Sequence, residues 1–156
     1  MGDRCWLQVT FHPDDIDKIP EHSDLLHDGE DEDRTPSGGI VYTFYEANYG
    51  LNDALCAAAN AGVRFKALQG HGDEYTAGIV IGWDNEVYEL NTDNDFGYIV
   101  PVNSNGEVLS RYLERVREFI TIEKKFEDCL NEIASVQREV VPLKDWKPCD
   151  DKKPDG

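Results

Sequence analysis

From Ala67 to Ser110 the chain contains no lysine and no arginine, while Asp73, Glu74, Asp84, Glu86, Glu89, Asp93, Asp95 and Glu107 all fall inside that window. A stretch of this kind repels phosphates, which excludes it as a nucleic-acid or anionic-membrane surface. Other absences narrow the field further. No apolar run approaches the roughly twenty residues of a membrane span. The N-terminal MGDRCWLQVT has no basic region ahead of a long apolar stretch, and Trp6 stands where a myristoylation motif needs Ser or Thr. Cys5, Cys56, Cys129 and Cys149 are scattered and form no CxxC pair. These features predict a cytoplasmic protein with reduced thiols.

Recognisable cofactor and metal motifs are missing too. There is no HExxH and no Cys/His spacing of the zinc type. The G-x-G of LQGHGDEY is followed by Asp73 and Glu74, and by no helix that could aim amides at a phosphate, so it reads as a turn. Asn91, Asp93 and Asp95 match the first three ligand positions of a calcium loop, but Phe96 and Val102 stand where Gly and Glu are required. A thiol–imidazole pair of Cys56 and His71 depends on the fold bringing the two together; Cys56 otherwise reads as a small residue of an Ala-rich helix. No metal ligand set, no cofactor and no catalytic residue is therefore assigned.

What the chain has is acid. Its 156 residues carry a formal charge of −17, with 40% hydrophobic content and 10% aromatics that mark a globular domain. Residues 1–38 contribute −8 (11 acids, 3 bases), residues 39–106 contribute −7 (9 acids, 2 bases) and residues 107–156 only −2 (12 acids, 10 bases). The densest run, LHDGEDEDRTPSGG at 26–39, has no apolar residue after Leu26, so it is expected to be a mobile acidic loop.

Periodicity outlines the elements. WLQVTF alternates as a strand, and GIVYTFYEA, the Ala-rich LNDALCAAANAG and VRFKAL read as strand, helix and strand, a β-α-β unit with parallel pairing. YTAGIVIGW, EVYEL and GYIVPV form an antiparallel meander whose first turn is Asp84-Asn85. Ser104 and Glu107 fit a capping box before a long helix. Leu109, Leu113, Val116 and Ile120 make one apolar stripe; Ile122, Phe126, Cys129, Ile133, Val136 and Val140 make a second, out of phase with the first. The expectation is one α+β domain over residues 1–142 with a frayed tail at 143–156. Its sheet is mixed, largely antiparallel, with about 5–6 strands. One short helix and a long C-terminal helix broken near Thr121 complete it. With the first stripe covering the sheet, Ile122, Phe126, Cys129, Ile133 and Val136 are left to pack the helix or to seam a homodimer.

Acids on and between strands repel one another unless they are put to use. Asp73, Glu74, Asp84, Glu86, Glu89, Asp93 and Asp95 are therefore the candidate partner-binding surface. A row through Glu89, Asn91, Asp93 and Asp95 is expected if the strand runs that far. The surface would meet a basic protein, such as the nucleic-acid site of a nuclease or related enzyme, and the domain would act as an inhibitor by mimicking DNA charge. The composition is similar in kind to acidic phage anti-defence proteins and bacterial immunity proteins, a likeness of charge and size only. Two other classes stand beside this one: a small metal-dependent or thiol enzyme, and an adaptor or structural dimer using helix 122–140.

Overall fold

A computed structural model describes residues 4–27, 31–72 and 76–140. Its centre is β1 (Arg4–Phe11), in which Leu7, Val9 and Phe11 alternate with Trp6, Gln8 and Thr10. The first three are fully buried, and a strand that buries one whole face is best satisfied with a neighbour on each side. β1 has two such neighbours. A short 3-10 turn (Pro13–Lys18) and a four-residue helix α1 (Asp24–His27) follow it. Then come β2 (Asp31–Arg34), β3 (Ile40–Asn48), α2 (Asn52–Asn60), β4 (Phe65–Gln69), β5 (Gly78–Trp83), β6 (Glu86–Asn91) and α3 (Ser110–Val140). The strands form one six-stranded sheet in the order β2-β3-β1-β4-β5-β6, and every neighbouring pair is antiparallel.

The α+β class and the long C-terminal helix agree with the sequence, but four expectations change. β3 and β4 do run in the same direction across α2, yet they do not pair: β1 lies between them, antiparallel to both. The helix bridges an inserted strand, so the sheet contains no parallel ladder. Secondly, part of the segment read as a mobile loop is ordered. Asp31–Arg34 pair with Ile40–Thr43, closed by Thr35, whose hydroxyl accepts from the Gly39 amide at 2.8 Å. Strand pairing uses only the backbone, so a run without apolar side chains can still fill an edge. Its charges then discourage a further strand from adding. Residues 28–30 and the expected frayed tail at 143–156 lie outside the described residues.

Thirdly, GYIVPV is not a strand. Only isolated bridges, Thr92 to Tyr98 and Val102 to Val108, mark it, and Ile99, Val100 and Val102 are exposed. Pro101 has no amide to give a ladder. The capping box fails with it. Asn103 Oδ1 accepts the amides of Asn105 and Glu107 at 2.9 and 3.0 Å, making a tight turn, and α3 starts only at Ser110.

Lastly, α3 is continuous through Thr121 over 31 residues, a length of about 46 Å at roughly 1.5 Å per residue. Its buried positions are Val116, Phe119, Ile122, Phe126 and Leu130. Phe119, not the exposed Ile120, joins the two stripes at gaps of three and four, so no break is needed. The helix thereby covers one sheet face along its length, against Ile79, Ile81 and Leu90 at one end and beside Gly39 at Leu130. The opposite face is closed by α2, α1 and the 3-10 turn. There Leu55, Ala58, Ala59 and Leu25 pack on Leu7, Val9, Phe65 and Val80.

Ile122 and Phe126 are thus already covered within the chain. Phe126→Ala is expected to cost about 3–5 kcal/mol of unfolding free energy, read by urea denaturation. A loss below about 1 kcal/mol would show that the stripe is not packed on its own sheet.

Candidate functional site: the acidic edge of the sheet

The charge pattern of the site begins with where its bases go. Arg64 and Lys66 are the two bases between Arg34 and Arg111, and both are spent inside the molecule. Asp15, in the 3-10 turn, is fully buried. Arg64 reaches it with Nε to Oδ2 at 2.7 Å and Nη2 to Oδ1 at 3.2 Å, and the Arg64 amide adds a third bond at 2.9 Å. Lys18 Nζ approaches Oδ1 at 3.1 Å. Burial pushes the Asp15 carboxyl up, but the hydrogen bonds from Arg64 and then Lys18 outweigh it and hold the group below the usual carboxylate range. The remaining guanidinium nitrogen, Nη1, donates to Cys129 Sγ at 2.9 Å, while burial pushes that thiol up against the pull of Arg64. Cys129 is therefore an internal contact of α3.

His12 completes this knot. Its Nδ1 accepts from the Asp14 amide at 3.2 Å, capping the 3-10 turn, and lies 3.3 Å from Arg64 Nη2. Two donors facing Nδ1 place the ring proton on Nε2. Burial first, and the neighbouring guanidinium second, lower its pKa.

Lys66, two residues on and on the same face, is consumed by α3. Its Nζ lies 2.6 Å from Glu123 and 3.3 Å from Glu127 of α3. The Tyr98 hydroxyl donates to the same Glu123, and its ring meets Phe119 edge-on with centroids 6.3 Å apart. Burial and the Glu123 carboxylate both raise the Tyr98 pKa.

With those bases engaged, the acids at the end of the sheet outnumber the bases near them. Asp84 and Asn85 form the β5–β6 turn with φ of 52° and 63°, the primed geometry that a two-residue hairpin needs. Asp84, Glu86 and Glu89 are exposed, and none of them makes an ion pair with a described residue. Glu118 of α3 adds a fourth charge. Burial, then Glu86, Glu118 and Asp84, raise the pKa of Tyr88 between them.

The expected row of carboxylates does not extend past Asn91, where β6 ends. Asp93 Oδ1 accepts the amides of Asp95 and Gly97 at 2.9 and 2.8 Å, so its carboxylate scaffolds a turn. Asp95 is exposed beyond it. Asp73 and Glu74 lie outside the described residues, as does the side chain of Val136. Ile133 is half-buried near Gly38. No hydrogen bond joins the exposed Cys56 to His71 among the described residues, and among them no group of three acidic, His or Cys side chains is placed to hold a metal ion.

A groove flanks the acidic edge. One cleft of about 360 Å³ is lined by Glu89, Leu90, Ile99, Pro101, Tyr112 and Arg115 among others. A second of about 290 Å³ is lined by Val87, Tyr88, Glu89, Arg115, Glu118 and Phe119. They share Glu89 and Arg115, so together they follow β6 along its outer side. Tyr112, Arg115 and Glu118 were not among the residues singled out from sequence. Their spacing of three residues marks one helix face, but only the docking of α3 shows that this face meets β6.

Compared with protein-family models, with curated proteins and with solved structures, the chain matches none.

The buried knot sets the acid stability. His12 has a lowered pKa when folded, so its contribution is complete above the ordinary value of 6.5 and is lost as pH falls from there toward the folded value. Asp15, also lowered, adds a second loss as pH falls below its ordinary 3.8. Melting temperatures measured from pH 8 downward should therefore drop in two stages. In His12→Asn, whose amide oxygen can replace Nδ1 as the cap, the upper stage should vanish and the lower remain. An unchanged upper stage would clear His12 of the effect.

Proposed function

We propose that this protein is an acidic binding domain that docks on a basic surface of another protein. Its use would be inhibition, by occupying the surface on which a nuclease or related enzyme holds nucleic acid. The observation that carries the reading is the contrast between bases and acids at one end of the sheet. Arg64 and Lys66 are engaged by Asp15, Glu123 and Glu127, whereas Asp84, Glu86, Glu89 and Glu118 face solvent around one hairpin and one helix. Carboxylates held on a paired hairpin present a fixed pattern, and a fixed pattern of one sign steers and orients a partner of the other sign.

The far edge of the sheet supports the same reading. Glu32 and Asp33 are exposed on β2, five strand spacings from β6, or about 24 Å at roughly 4.8 Å per spacing. No single strand approaches the charge density of DNA, about one per 1.7 Å of axis. Two acidic edges, a turn and a helix face come nearer to it than β6 alone.

The test is capture of partners from host lysate on immobilised protein at low and high salt. The comparison is a triple variant, Asp84→Lys, Glu86→Lys and Glu89→Lys, checked to melt as the wild type does. Asp93 is left alone because its carboxylate holds a turn. The wild type should retain basic proteins at low salt and release them as salt rises. The variant should retain none of them, and the retained proteins should lose nucleic-acid binding or cleavage when the wild type is added. Identical capture by the triple variant would end this reading of the surface.

A further inference from the structure

We propose that the outer edge of β6 is a docking strand for an extended segment of the basic partner, in which apolar residues alternate with lysine or arginine. This rests on the binding reading above and names the form of partner that the same surface takes.

The first support is the backbone of β6. Among the described residues it pairs only with β5 and ends the sheet. Because the Asp84-Asn85 turn has two residues, Trp83 and Glu86 are the first hydrogen-bonded pair, and Tyr88 and Leu90 follow in the same phase. The phase is kept beyond the strand, where the Thr92 amide donates to Ala77 O at 2.9 Å. Val87 and Glu89 therefore direct their amides and carbonyls away from β5. Among the described residues none takes up those groups. The 98–102 segment has a single backbone bridge to the end of this hairpin, Thr92 to Tyr98, and among the described residues none pairs with the outer edge of β6.

The second support is shape. The two clefts together run from Val87 to Asn91, four strand rises or about 14 Å at roughly 3.4 Å each. Tyr112, Arg115 and Phe119 form the facing wall, and Ile99 and Pro101 close one end. A single extended chain fits a groove of this form, with main-chain bonds giving affinity and alternate side chains giving specificity. Side chains of an added strand that point toward α3 meet Phe119, Ile99 and the Leu90 side of the sheet, which asks for apolar residues. Their neighbours point to the Glu89 side, which asks for basic ones.

Charge selects the occupant. Glu89 and Glu118 line the groove, Asp84 and Glu86 stand exposed at the hairpin end of the same strand, and Arg115 is the one base among the described lining residues. A second copy pairing β6 with β6 would set these glutamates against their counterparts, and like charges across a strand pair destabilise it. A basic segment meets no such penalty.

The probe is a short fluorescent peptide of alternating lysine and valine, followed by anisotropy and by hydrogen exchange of the Val87 and Glu89 amides. A control peptide carries N-methyl groups on alternate amides, which keep the charge but remove main-chain donors. Glu89→Pro removes one outward donor at an edge position where proline is tolerated, and Glu89→Gln controls for its charge. The parent peptide should bind and protect both amides. N-methylation and Glu89→Pro should each weaken binding about tenfold or more, and Glu89→Gln only a few-fold. Equal binding of the N-methylated peptide without amide protection overturns strand addition and leaves the acidic-surface reading standing. Failure of both peptides to bind at low salt removes both proposals. Amide protection that grows with protein concentration alone assigns the edge to a second copy and overturns the inference. If Glu89→Pro fails to fold, the N-methylated peptide decides.

Discussion

The buried carboxylate of Asp15 is the group on which the rest of the arrangement turns. An ion this deep is tolerable only with its oxygens occupied. Arg64 meets that demand through its guanidinium and its own amide. Meeting it ties four elements together at one point. The His12 amide at the end of β1 bonds Arg64 O at 2.9 Å, the 3-10 turn supplies the acid, the residue leading into β4 supplies the base, and α3 is reached through Cys129. Lys66, two residues further on and so on the same face, performs a similar task against Glu123 and Glu127 of the same helix. Two cations on one face thus pin α3, and Arg64 ties it to the 3-10 turn as well. These pins also withdraw from the surface the bases that would have neutralised the β5–β6 hairpin. Internal cohesion and external charge have a single origin.

How much of this was legible in the sequence varied with the kind of signal. β1 announced itself by alternation, and the Asp84-Asn85 turn by residues that tolerate positive φ, because both features are local. The insertion of β1 between β3 and β4 was not local. A helix of nine residues suits a crossover to an adjacent strand or over one intervening strand, and only the competing demand of β1 for two neighbours chooses. β2 was invisible because pairing through the backbone leaves no hydrophobic trace. GYIVPV misled in the opposite sense, since β-branched residues suggest a strand even when the chain leaves them exposed. In α3 the choice of Ile120 over Phe119 split one stripe into two, and with it created a surplus apolar face for which a partner then had to be imagined.

The acids show the same limit at the level of single residues. Glu89 and Asp93 are two of several carboxylates in one window, alike in any count of charge. One stands on a strand edge and makes no ion pair with a described residue; the other is held by two amides of a turn. A sequence lists the charges, whereas hydrogen bonding decides which of them remain available. The groove residues Tyr112, Arg115 and Glu118 were hidden for a further reason. Their relevance depends on how α3 lies across the sheet, and that is fixed by Phe119 and Phe126 far more than by the three themselves.

The central place of β1 has a consequence for how the chain acquires its structure. The strand is made first, yet its two sides are closed by segments separated from it by a helix, a turn and a crossover. Pairings of such long sequence separation raise contact order and slow the search for the native topology. Until β4 arrives, β1 with β3 would present an open, apolar edge. Early closure of the wrong strand is opposed by the one feature already present in that half of the chain, the charged run of β2, which occupies the far side of β3 and repels further copies. In kinetic terms the acidic segment that contributes nothing to the core thus reads as a guard, keeping the growing sheet from extending outward while its middle is still incomplete.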